Sequence, residues 1–238
     1  MGKSLLISLR DASDKMAAHE RMCFEETAGI APGSLSMHHM QQRRPEIHEL
    51  QHFDTIFFGG SGAYSVNDDL PWIRDSIATL LDVVELKIPA YASCFGFQGL
   101  AVALGGEVIN DESKTEMGST AVMLTEAGKS DELFKHMPSH FWVQEGHHDR
   151  VSRMPSGIEL LVSGDFCFEQ AFRVQGAPFW ASQFHPELTV QRTVDRFHHY
   201  AEFYLEPSET ASVLATLKGG QESPEVGTLL SRLVSSQL

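Results

Sequence analysis

The chain has 238 residues, of which 42% are hydrophobic and 21% charged, close to the globular averages of roughly 45–50% and about 25%. Such a chain can bury a sizeable core, which excludes wholesale disorder, and its length suits one or two domains, with α/β folds often holding it in one. The net charge of −14, from 18 Lys and Arg against 32 Asp and Glu, lacks the basic footprint of a nucleic-acid binder and disfavours an anionic membrane surface.

The first element is an apolar run at residues 4–9, SLLISL, the signature of a buried strand. Arg10 and Asp11 follow at once, so the run is too short for a signal-peptide core or a membrane span. Residues 13–28 carry apolar side chains at helical spacing, and Gly29 closes them as a helix C-terminus does. Residues 35–40 suggest a second short strand, and the polar stretch QQRRPEIHELQH reads as a connection. Residues 53–58, FDTIFF, form a strong strand pattern ending in Gly59-Gly60-Ser61-Gly62. A helix is expected over 71–86, with Pro71 in its first turn, then a strand over 88–93 and a helix over 95–104 closed by Gly105-Gly106. This alternation argues for a largely parallel sheet with helices on both faces.

Beyond residue 107 the segments become shorter and richer in turns. Strands are expected at 121–124, 141–143, 159–162, 170–174 and 179–183, and an aromatic-rich helix at 188–204 with Phe197, Tyr200, Phe203 and Tyr204. From residue 206 the composition shifts to PSETAS and KGGQESPE, read as an appended tail (206–238) on a domain of residues 1–205, with a short helix near 226–234. Three cysteines, Cys23, Cys94 and Cys167, cannot all pair and lack zinc-knuckle or redox spacing. The expectation is a cytoplasmic protein that binds neither nucleic acid nor membrane.

Three places carry chemistry. Cys94, in ASCFGFQ, lies between an apolar strand and a helix, where a tight turn exposes a side chain at the C-terminal edge of the sheet. The helix N-terminus aimed at the sulfur is expected to lower its pKa from about 8.5 into a reactive range. The competing reading of Cys94 is a buried, inert core cysteine. In QFHPE, Pro186 disfavours helix at His185, and an extended His-Pro-Glu sets Glu187 on the same side, where it can orient the imidazole. The loop after FDTIFF can turn backbone N–H groups toward a ligand and offer one oxyanion donor, with the Phe95 N–H as the second. No Gly-Lys-Ser/Thr follows, so it is not a phosphate loop.

Taken in order, FFGGSGAYSV, ASCFGFQGLAVALGG and QFHPE resemble the class I glutamine amidotransferase family, supported by KTEMG and GHHDRV. The resemblance covers roughly residues 3–205 and is nearest to stand-alone proteins similar to the glutaminase part of GMP synthase. It implies a three-layer, flavodoxin-like α/β fold with a mixed, mainly parallel sheet. It implies Cys94 as nucleophile, His185 as general base and acid, Glu187 as orienter, and Gly60 and Phe95 as oxyanion donors. Gln98, Ser61, Gly62 and His147 become substrate-binding positions. Family members usually carry Gly where Ala92 stands, a mild steric change, and often His where Phe97 stands, a departure that bears on substrate preference more than on reaction class.

The implied reaction is attack of the Cys94 thiolate on the side-chain amide of glutamine, a γ-glutamyl thioester, and release of ammonia and glutamate, with no metal or redox cofactor. No ATP-binding motif is present, so an ammonia acceptor would belong to a separate synthase subunit. Two rival functions compete with it: hydrolysis of γ-glutamyl peptides or conjugates by the same triad, and a catalytically silent binding module. Cys23 and Cys167 are expected in the core. Adjacent histidines such as His147 and His148 diverge on a strand or helix and do not suggest a metal site.

Overall fold

The computed structural model describes residues 2–204 and 207–235. Strand β1 (Ser4–Ser8) leads into α1 (Lys15–Ala28), which starts at Asp14, whose side chain accepts the Met16 N–H, and ends at left-handed Gly29. Strand β2 (Ser36–His39) follows. The polar connection after it contains a short helix, α2 (Ile47–Leu50), started by a capping box of Glu46 and Glu49 and held by the fully buried Leu50. Then come β3 (Thr55–Phe58), α3 (Pro71–Leu86), β4 (Ala90–Ser93) and α4 (Phe95–Ala103), all within two residues of expectation.

The second half holds more strand than its sequence announces: β5 (Glu107–Asn110), β6 (Glu116–Leu124), the short helix α5 (Glu126–Ser130), β7 (His140–His147), β8 (Asp149–Arg153), β9 (Ile158–Gly164), β10 (Glu169–Val174) and β11 (Phe179–Ser182). Neither β5 nor β8 is expected from the sequence; both are short, polar on one face, and pair only with each other in a small antiparallel sheet. The C-terminal helices are α6 (Val190–Tyr204), α7 (Pro207–Lys218) and α8 (Leu229–Ser235).

Among the described residues nine strands form one mixed sheet, in the order β2-β1-β3-β4-β11-β10-β9-β6-β7. The run from β2 to β11 is parallel, and the strands beyond β11 are antiparallel. Alternation along each central strand sorts side chains into two cores. Leu5, Ile7, Ile56, Phe58, Ala90, Ala92, Phe179 and Ala181 face α3 and α4 on one side. Leu6, Phe57, Tyr91 and Trp180 face Phe24 and Ala28 of α1 and Leu229, Leu230 and Leu233 of α8 on the other. This is the three-layer arrangement expected, and it leaves the C-terminal ends of β1, β3, β4 and β11 open along one edge.

The segment expected as an appended tail is built into the fold. Leu229, Leu230 and Leu233 are no more than 1% exposed, and α8 covers a core face that α1 alone leaves open. The expected boundary at 205/206 lies outside the described residues, as do the side chains of Phe203 and Tyr204. Among the described residues no helix is long and apolar enough to cross a membrane.

Candidate active site

The site grows from the open edge of the sheet. Register pairs Ser93 of β4 with Ser182 of β11, and the Cys94 N–H donates to the Ser182 carbonyl at 2.8 Å. The two strands therefore end side by side, one delivering Cys94 and the other the turn that carries His185. Cys94 caps α4 with φ 52° and ψ −105°, a region that L-residues enter only when their surroundings compel it, at a cost of about 1–3 kcal/mol. Gly96 lets the elbow close: a Cβ there would sit 3.0 Å from both the Ala92 and Phe58 Cβ atoms. The expected sharp turn is present, and its small neighbours are required by contact.

Between Cys94 and His185 lies Gly60, at the end of β3 beside β4. A Cβ on Gly60 would lie 3.0 Å from His185 Cε1 and 3.6 Å from Cys94 Cβ. The two side chains thus flank one glycine. His185 Nδ1 and Glu187 Oε1 are 2.7 Å apart, both residues being buried, which leaves Nε2 as the imidazole's remaining nitrogen. The His185 N–H donates to the Gln144 carbonyl at 2.9 Å, anchoring the turn to β7. Arg196 of α6 reaches the same carboxylate, with Nη1 3.7 Å from Glu187 Oε1.

A cavity of about 550 Å³ opens over these groups. It is lined by Cys94, Phe95, His185, Ser61, Gly62, Gln98 and His147, so seven of the nine sequence-derived positions meet in one wall. Gly60 and Glu187 stand just behind it. Gln98 commits its amide nitrogen to the protein, donating to the Asp149 carbonyl at 2.8 Å and to Gln183 Oε1 at 3.1 Å. Phe97 faces the core, 5.1 Å from the Phe172 ring, so its departure from the family pattern leaves the cavity wall unchanged.

Two expectations are corrected. The first concerns the charge of Cys94. Burial, then the charges of Glu145 and Glu187, push the thiol up to about 12, against the downward pull of Arg196 and Arg10. The helix N-terminus does not win, because a residue only 6% exposed loses its hydration while two carboxylates stand near. Cys94 is therefore a thiol at neutral pH. Burial also holds His185 below its ordinary range, with Arg196 and Arg10 adding to it and Glu187 opposing. Burial pushes Glu187 the other way, but His185 and Arg196 outweigh it and keep its carboxyl below the usual range. The resulting state is a thiol, a neutral imidazole and a carboxylate, with the Cys94 sulfur 4.0 Å from the Gly146 carbonyl oxygen.

The second concerns Gly60. Its N–H donates to Glu20 Oε1 at 3.1 Å, so it has a partner already. Glu20 reaches it from α1 and is fixed by Arg10 Nε at 3.2 Å in a fully buried ion pair. The N–H of Phe95, at the first position of α4, has no acceptor within the helix.

Several wall residues escape sequence reasoning altogether. Arg10 lies two residues past the end of β1 and contacts Glu20 and the Tyr200 hydroxyl, the latter at 2.6 Å. Its position just past an apolar strand at the sheet's C-terminal edge is the available signal. Glu145 lies in β7, 1% exposed, with neither carboxylate oxygen accepting a hydrogen bond. Burial first, and Glu116 second, push its carboxyl well above the usual range. A lone acid in a strand carries no periodic signature, and only the fold brings it to Cys94.

Comparison with known proteins gives consistent matches. The family model described as glutamine amidotransferase class-I matches residues 32–200. A glutamine-hydrolyzing GMP synthase subunit from Sulfolobus acidocaldarius is 34% identical over 143 residues, 60% of this chain and 71% of that protein. The protein of the same name from Saccharolobus solfataricus is 31% identical over 155 residues, 65% of this chain and 78% of that protein. Solved structures of a glutamine amidotransferase from Thermotoga maritima (TM-score 0.69, 18% identity, 98% of this chain and 99% of that one) and of another from Methylobacillus flagellatus (0.72, 20%, 98% and 94%) share the fold. Arg10 and Glu20 precede the matched span.

Proposed function

Because the chain belongs to the glutamine amidotransferase class-I family, we propose that it hydrolyses the side-chain amide of glutamine through Cys94, His185 and Glu187. The observation that carries this reading is the convergence of the Cys94 elbow and the His185–Glu187 pair on Gly60. As the amide carbon approaches sulfur, neutral His185 takes the thiol proton and Glu187 stabilises the imidazolium. The C–S bond forms as the carbonyl oxygen becomes an oxyanion beside the Phe95 N–H. Removing one such preorganised donor from an oxyanion site typically costs about 3 kcal/mol. His185 returns the proton to the departing nitrogen, ammonia leaves, and water cleaves the γ-glutamyl thioester to glutamate.

The relatives are named as one subunit of a GMP synthase, which supports delivery of the ammonia to a separate synthase subunit. A second reading, hydrolysis of γ-glutamyl peptides or conjugates, is favoured by the cavity. About 550 Å³ falls within the range of roughly 300–1,000 Å³ that holds drug-sized ligands, larger than one amino acid requires. The test is to offer purified protein glutamine and γ-glutamyl dipeptides separately and compare kcat/KM. Glutamate released from glutamine supports the first reading, and a preference of tenfold or more for dipeptides supports the second. Release from neither, with no labelling of Cys94 by a glutamine-analogue diazo-ketone, leaves the silent binding module.

A further inference from the structure

At the edge of the cavity lies a second cluster of chemistry-bearing side chains that the proposed proton and acyl transfers do not use. Glu116 at the start of β6, His147 at the end of β7 and Cys167 between β9 and β10 offer ligand atoms all within 4.8 Å of one another, and all three residues are buried. His147 Nε2 lies 3.1 Å from Glu116 Oε2 and 3.6 Å from Glu145 Oε2. We propose that Glu116, His147 and Cys167 form a binding site for a single thiophilic divalent cation of the zinc class.

Three independent features point to a cation. First, the donor set is mixed in the way that zinc prefers, one thiolate, one imidazole nitrogen and carboxylate oxygens, from three separate chain segments. Second, the cluster leaves acceptors without partners: Glu116 Oε1 and both oxygens of Glu145 are buried and accept no hydrogen bond. Carboxylates are not normally buried in this condition, because each unpaired oxygen forfeits its hydration. Third, the guanidinium groups that share the cavity are committed elsewhere, Arg10 to Glu20 and Arg196 to Glu187. Glu116 keeps only the neutral Gln170 amide and His147 as partners, both on Oε2, and its Oε1 is left as a buried acceptor for a cation.

The site is reachable, since His147 and Glu145 line the cavity. Bond lengths of about 2.3 Å to sulfur and about 2.0–2.2 Å to nitrogen and oxygen require the widest pair of donors to draw in by about 1 Å. The Cys167 S–H gives up its proton to solvent as the metal–sulfur bond forms, and no electron is transferred. Once bound, the ion ties β6, β7 and the β9–β10 loop together and fixes the wall that carries His147.

The experiment uses the full chain, stripped with chelator and titrated with Co²⁺, followed by competition with Zn²⁺. The expected result is one equivalent bound with a Kd of about 1 µM or tighter and a near-ultraviolet sulfur-to-cobalt charge-transfer band. Cys167→Ser abolishes the band and weakens binding at least about 100-fold, Glu116→Gln weakens it about 10- to 100-fold, and Cys94→Ser leaves band and affinity intact. Lack of saturable binding below about 100 µM overturns the proposal. So does a band that disappears with Cys94→Ser and survives Cys167→Ser, which would move the ion to the nucleophile. Should Cys167→Ser fail to fold, Glu116→Gln decides: unchanged affinity in that variant overturns the site. Glutamine hydrolysis is measured on the stripped protein, so the function proposed above stands or falls separately.

Discussion

Replacing Glu187 by Gln removes one charge from the centre of the site while keeping its shape. In the native arrangement the carboxylate sits 2.7 Å from His185 Nδ1, and both residues are buried, at 1% and 4% exposure. When the imidazole takes the Cys94 proton, this contact becomes an ion pair. At a charge separation of about 4 Å and an effective dielectric constant of about 20, the attraction is about 4 kcal/mol. Glutamine keeps a hydrogen bond to Nδ1–H, so the net loss in the transition state is about 3–4 kcal/mol, or roughly 10²- to 10³-fold in kcat. The pH profile gives a second readout with a definite sign. Activity needs neutral His185, so it is lost as pH falls through the His185 pKa, which burial already holds below its ordinary 6.5. Glu187 is what pulls that pKa upward, and burial, Arg196 and Arg10 pull it down. With the upward pull removed, the acid limb of kcat/KM moves to lower pH. The assay is glutamate release across a range of about pH 4–9 for both proteins, wide enough to span the acid limb, with folding checked by circular dichroism. A loss below about tenfold, or an acid limb displaced upward, refutes the assignment of Glu187 as the partner of a transient imidazolium.

Further outcomes follow from the same geometry. Alkylation of Cys94 by iodoacetamide, mapped by mass spectrometry, is expected to be slow at neutral pH and to rise steadily with pH, without a plateau below about pH 9, because the thiolate is the reactive form; a fast, pH-independent rate below about pH 7 contradicts the raised pKa. Both Cys94→Ala and Cys94→Gly abolish turnover. Of the two, the glycine variant is expected to be more stable by about 1 kcal/mol in urea unfolding, since glycine tolerates φ 52°. The opposite order shows that the elbow stores no strain. Leu230→Ala, in α8, should cost about 2–5 kcal/mol as a core truncation, read from the denaturant midpoint, and a cost under about 1 kcal/mol means that the C-terminal segment is dispensable to the core. Arg10→Met leaves Glu20 buried without its counter-charge and is expected to cost about 3–5 kcal/mol, with wild-type stability in the variant arguing against the pair as drawn.

Local rules account for the part of this molecule that is legible in one dimension. The alternation of apolar runs with helical spacing locates β1, α1, β3, α3, β4 and α4, because each is dominated by its own periodicity and by end signals such as Gly29 and Pro71. The Cys94 elbow and the His185-Pro186-Glu187 turn are legible for the same reason: strand, small residues and nucleophile are neighbours in the chain. Everything that depends on residues distant along the chain waits for the fold. Strands β5 and β8 exist by pairing with each other, and α8 belongs to the core because α1 leaves a face uncovered. The partner of the Gly60 N–H comes from forty residues upstream, and Glu145 reaches the cavity from a strand paired far from β4. The protonation of Cys94 belongs to this second class. A helix dipole can be inferred from a turn, but desolvation and the charges of Glu145 and Glu187 exist only once the chain has closed around the sulfur.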